Sequence, residues 1–144
     1  MTVVVVGWER FITTGQRLQH VDIRRALDDA ITHAAQPLPE KLRASALTTL
    51  PKRGGLAAAV AESQMRVAAQ SGAEAGARVT VDSRYDVAGM DEGRVVHPLF
   101  GDRRHWYTER LNPHWFTTPV EAARPGFETA VNDAMDRIEK EAGG

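Results

Sequence analysis

The sequence predicts an α+β fold in which a small antiparallel sheet packs against N-terminal helices and a long C-terminal helix. Three observations carry the prediction. Apolar residues recur at three- and four-residue spacing in the first third and again in the last fifth. The middle of the chain switches to strict alternation. Prolines and glycines punctuate the changes of period.

The elements follow in order. Val3–Val6 is a β-branched run closed by Gly7 and reads as a strand, with Trp8 and Phe11 as apolar anchors. From Ile23 the positions Leu27, Ala30, Ile31 and Ala34 share one helical face, and Asp22 stands where an N-cap belongs. Pro37 and Pro39 interrupt this pattern; Leu42, Ala46 and Leu50 resume it in a second helix that stops at Pro51. A Lys52-Arg53-Gly54-Gly55 turn leads into the alanine-rich Leu56–Glu62, one or two further helical turns. Met65, Val67 and Ala69, then Ala77, Val79 and Val81, alternate with polar or small residues around a turn at Ser71–Gly76, which predicts a hairpin with one dry face. A polar loop through Gly89–Gly93 precedes a third strand, Arg94–Phe100, whose Pro98 suits an edge or a strand end. Thr118, Pro119 and Glu121 have the spacing of a helix start. The last helix presents Val120, Ala123, Phe127, Ala130, Val131, Ala134 and Ile138, with a kink expected at Pro125-Gly126.

The 144 residues are expected to form a single domain, 1–144, of ordinary soluble composition, 42% hydrophobic and 26% charged. Of 61 hydrophobic residues 21 are alanine, so the core is thin. With no cysteine, disulfides, thiolate zinc sites and cysteine nucleophiles are excluded. A net charge of -1 gives no global reason to expect nucleic acid or an anionic membrane as the main partner. No window reaches the roughly 18 to 20 apolar residues of a spanning helix, and Val3–Val6 lacks the flanks of a signal peptide, so synthesis in the cytoplasm without membrane association is expected.

The densest chemistry lies in Phe100–Phe116, which holds five of the nine aromatic residues and shows neither helical nor strand period. It reads as a long irregular loop with the composition of an interface hot spot, and Trp106, Tyr107, Leu111, Trp115, Phe116 and the nearby His97 are the candidate contact residues. Lys41, Arg43, Lys52 and Arg53 form a basic stretch suited to phosphates lining a channel. His97, His105 and His114, with Asp102 and Glu109, lack the spacing of a metal or acid/base site; a nuclease built on His105, Asn112 and His114 is the enzymatic alternative. Nucleophile elbow, phosphate loop and dinucleotide fingerprint are all missing, so no catalytic residue, cofactor or metal is expected.

The order of these features resembles a known family. Leu50-Pro51-Lys52-Arg53-Gly54-Gly55-Leu56-Ala57, the hairpin, Gly93–Gly101, the Trp106…Pro113…Trp115-Phe116 block and the terminal helix together look like the tail-completion or head–tail connector proteins of long-tailed bacteriophages, of the minor tail protein Z type, in the versions found in phages of actinobacteria. Glu109 stands where glutamine is common in that family, and Pro113-His114 where Pro-Gly is usual. The resemblance implies a non-enzymatic virion component at the head–tail junction. It also implies a homo-oligomeric ring, neighbours such as the stopper or adaptor, tail terminator and tail tube, and a lumen that lets DNA pass. An isolated monomeric adaptor or binding module is the alternative.

Overall fold

The computed structural model describes residues 2–6, 21–70, 76–99 and 102–143; the side chains of 2–6, 21–24, 70, 97–99, 142 and 143 lie outside the description. The anchors Trp8 and Phe11, the side chain of Asp22 and most of the Ser71–Gly76 turn therefore lie outside the described residues; the helix expected to be capped at Asp22 begins one residue earlier, at Val21. The fold is α+β, with a long C-terminal helix and two small antiparallel sheets. Where the sequence reading treats 1–144 as one unit, the chain packs into two compact units that interleave, so no single cut along the sequence separates them.

One unit comprises Thr2–Pro39, Met65–Thr80 and Ala122–Gly144. Its sheet has strand β3 (Gly76–Asp82) at the centre, flanked by β1 (Thr2–Val6) and β2 (Gln64–Gln70). β1 runs antiparallel to β3 with Thr2 opposite Thr80 and Val6 opposite Gly76. The alternation read from the sequence appears as burial: Ala77 and Val79 are inside, Arg78 outside, and Met65 is buried between exposed Gln64 and Arg66. Helix α1 (Val21–Ala35) buries Leu27, Ile31 and Ala35. The C-terminal helix α5 (Thr117–Gly143) buries Phe127, Val131, Ala134 and Met135 here, and remains one helix through Pro125.

The other unit comprises Glu40–Gln64 and Val81–Glu121. It holds most of helix α2 (Leu38–Thr49), a 3₁₀ turn at Arg53–Gly55 and helix α3 (Leu56–Ala61). Pro39 sits in the first turn of α2, where backbone N–H groups have no intrahelical acceptor, so the proline opens this helix without cost in hydrogen bonds. Leu42, Ala46 and Leu50 bury one stripe, with Ala57 and Val60 from α3. Helix α4 (Val87–Asp91) then precedes the ribbon of β4 (Arg94–Leu99) and β5 (Asp102–Arg110).

Three expectations are corrected. Helix α4 occupies part of what reads as a polar loop; Asp86 caps it by accepting from the Gly89 N–H at 3.0 Å, and five residues are too few to show a period. Arg94–Leu99 does not join the sheet of the hairpin but makes a separate two-stranded sheet with β5. The supposed irregular loop is, over Asp102–Arg110, a nine-residue strand. Eight of those nine residues are exposed, so neither face is selected for apolar side chains and the sequence carries no alternation to detect.

Candidate functional site

The ribbon has a fixed root and an open tip. At the root, the Leu111 N–H donates to the Gly93 carbonyl at 2.8 Å, closing the last rung below the Arg94–Arg110 pair. Gly93 has φ of 94°, and an added Cβ would lie 3.1 Å from the Leu111 carbonyl oxygen, so only glycine lets the two strands meet here.

Asp91, at the end of α4, ties down the segment that leaves β5. Its Oδ1 accepts from the N–H groups of Phe116 and Thr117, both at 2.8 Å, and its Oδ2 accepts from the Thr117 hydroxyl. Its own carbonyl accepts from the His114 N–H at 2.8 Å. One carboxylate thus satisfies donors at the start of α5 that have no partner inside that helix, and does so from a distant part of the chain. Sequence reasoning places the helix start around Thr118, Pro119 and Glu121; the helix begins at Thr117, and Asp91 supplies the cap. His114 adopts φ of 70°, the left-handed conformation that glycine takes at least cost.

Trp115 is fully buried and Phe116 is 2% exposed, which corrects their reading as contact residues. The Trp115 Nε1–H donates to the Val87 carbonyl at 3.0 Å, its carbonyl accepts from the Ser45 hydroxyl at 2.5 Å, and its ring meets that of Phe116 edge-on with centroids 5.6 Å apart. A buried indole with its N–H satisfied is a core anchor, and these two rings thicken an interior rich in alanine. Leu111 is half-buried, and the side chain of His97 lies outside the described residues.

At the tip the arrangement is the reverse. Trp106 and Tyr107 are 61% and 50% exposed, and Val96 is 50% exposed. Val96 pairs with Thr108 and Pro98 with Trp106, so Val96 and Trp106 share one face of the ribbon as diagonal neighbours; Tyr107 and Val95 belong to the other. Val96 is a site residue that sequence reasoning missed, since a strand valine ordinarily faces a core. Asp102 Oδ1 accepts from the Arg104 N–H at 3.0 Å and from its Nε at 3.2 Å, and Oδ2 accepts from His105 Nδ1 at 3.0 Å. The Arg104 backbone N–H first, then the His105 ring and the Arg104 guanidinium, hold the Asp102 carboxyl below the usual carboxylate range.

The four basic candidates fall into two pairs. Lys41 and Arg43 lie in the first turns of α2, and Lys52 and Arg53 follow its far end, roughly 12 Å along the axis. Arg43 donates to Glu40 at 3.3 Å, whereas Lys41, Lys52 and Arg53 are exposed. An open cleft of about 460 Å³ lies between the end of α2, at Thr48 and Pro51, and the base of the ribbon, at Glu109, Arg110 and Asn112.

The nuclease constellation does not assemble. His105 is separated from Arg110 by roughly 16 Å of extended strand, and Asn112 and His114 lie beyond that, at the root. Among the described residues no group of three or more His, Asp or Glu is placed to hold a metal ion, and no helix is long and apolar enough to cross a membrane. Comparison of the chain with known protein families, with curated proteins and with solved structures finds no match.

Proposed function

We propose that this chain is a structural protein of the head–tail junction of a long-tailed bacteriophage, forming a homo-oligomeric ring that completes the tail or joins it to the head and leaves a channel for DNA. The observation that carries the reading is the exposed ribbon, with Trp106 and Tyr107 at 61% and 50% exposure on a strand of which eight of nine residues are exposed. A lone two-stranded ribbon is marginal in water, and exposed aromatic rings beside arginines have the composition of an interface centre. Rooted by Asp91 and Trp115, such an arm is presented at low entropic cost to a neighbour.

In a closed ring every subunit offers two different patches, one to each neighbour. The two faces of the arm supply one patch, and a helical surface of the next copy receives it. The stopper or adaptor, the tail terminator and the tail tube are the partner classes above and below. The exposed Lys52 and Arg53, with Lys41, are the residues suited to sequence-independent contact with DNA in the lumen.

The test is the double substitution Trp106→Ala with Tyr107→Ala in the phage that carries the chain. The expected result is a folded protein, heads without tails and free tails. Normal tailed particles, or purified virions that lack the chain, overturn the proposal. Electron microscopy of the particle neck separates a ring from a monomeric adaptor bound in single copy.

A further inference from the structure

The faces of the ribbon are one surface; its edge is another. β5 has β4 on one side and, among the described residues, no strand on the other. The edge of β4 is interrupted, because Pro98 has no N–H and the register shifts between Pro98 and Leu99. The edge of β5 is nine residues long and contains neither proline nor glycine. Such an edge is a template for another strand unless charge repels it.

Charge selects both the partner and the register. Segment 102–110 reads Asp-Arg-Arg-His-Trp-Tyr-Thr-Glu-Arg. Laid parallel to itself in register, it sets Arg103 and Arg104 against their own copies. Laid antiparallel with Tyr107 on the two-fold axis, it sets Arg104 against Arg110. Centred on Trp106, it sets Asp102 opposite Arg110 and Arg103 opposite Glu109, each pair occurring twice, while Arg104 meets Thr108 and keeps its own Asp102 at 3.2 Å. The backbone agrees with this centre. The Leu111 N–H bond to Gly93 sets the parity of the ladder with β4, so that Arg104, Trp106, Thr108 and Arg110 turn their backbone groups toward the open edge. The Arg104 N–H, turned outward by the same parity, is held by its own Asp102, so the Arg104–Thr108 rung of the pair is carried by the Thr108 N–H and the Arg104 carbonyl.

We infer that β5 pairs antiparallel with β5 of a second copy of this chain, centred on Trp106, to give a continuous four-stranded sheet. The pairing uses one patch twice and closes at two chains, whereas a ring needs two different patches, so the inference does not depend on the phage reading. It leaves both faces of the ribbon open and brings Trp106 of one copy beside Trp106 of the other.

The test is sedimentation of the full-length chain with charge reversals that leave the aromatic rings in place. The wild type is expected to run as a dimer of 15.8 kDa chains, shifting toward monomer as salt is raised. Arg103→Glu alone and Glu109→Arg alone, each checked for wild-type circular dichroism, are expected to halve the mass. An equimolar mixture of the two variants, and the double variant R103E/E109R, are expected to restore the dimer, because each re-creates opposite charges across the pair. A wild type that stays monomeric, single reversals that remain dimeric, or a mixture that stays monomeric overturns the pairing. Since Trp106 and Tyr107 are untouched, tail attachment by the same variants reads the ring proposal separately.

Discussion

Two tryptophans nine positions apart, Trp106 and Trp115, belong to one aromatic block and meet opposite fates. Trp115 is buried with its N–H on the Val87 carbonyl; Trp106 is 61% exposed on a strand with a single strand neighbour among the described residues. The difference teaches that aromatic density marks large contact area without saying against what. Around Trp115, α4 and the start of α5 converge through Asp91, so the rings have walls to fill. Trp106 lies on a sheet that has two strands among the described residues, and a two-stranded ribbon has no interior.

The comparison breaks most directly at the root. Trp115→Ala removes a fully buried ring and leaves the Val87 carbonyl without its donor, so chemical denaturation is expected to show a loss of about 3 to 5 kcal/mol. A loss below about 1 kcal/mol would place Trp115 in the same class as an exposed residue. Next comes Asp91→Ala, which deprives the start of α5 of its cap; about 2 kcal/mol is expected to be lost, with faster amide exchange at Phe116 and Thr117. His114→Gly acts in the opposite direction. With φ of 70° the histidine carries strain that glycine does not, and thermal unfolding is expected to show a gain of about 0.5 to 1 kcal/mol.

At the tip the same measurement is expected to be nearly silent. Trp106→Ala changes stability by no more than about 0.5 kcal/mol, because little of the ring's area is removed from water on folding. Loss of assembly without loss of stability is the signature that separates the arm from the root. The smallest effect is on pH. Asp102 has a depressed pKa, so whatever it contributes to the order of the tip is present above its ordinary value of 3.8 and is lost as pH falls through the lower folded-state value. Carbon-detected NMR titration is expected to place Asp102 below that value, and Arg104→Ala is expected to return it partway.

The helices were legible where burial wrote a stripe, as at Leu27 and Ile31, Leu42 and Ala46, or Phe127 and Val131. The hairpin strands were legible for the same reason, through Met65 and through Ala77 and Val79. Of the candidate contact residues, Trp106 and Tyr107 are at the surface, while Trp115 and Phe116 are core. Composition alone could not divide them, since both pairs are flanked by polar residues in one seventeen-residue stretch.

By itself, then, the sequence determined the α+β class and most of its helices and strands, because a half-buried element imprints its own period on the chain. Tertiary structure alone decided the cap that Asp91 gives to α5, the split of the strands into two sheets, and which tryptophan is interior. Each depends on groups far apart in sequence, and an element wet on both sides, such as β5, has no periodic pattern through which to announce itself.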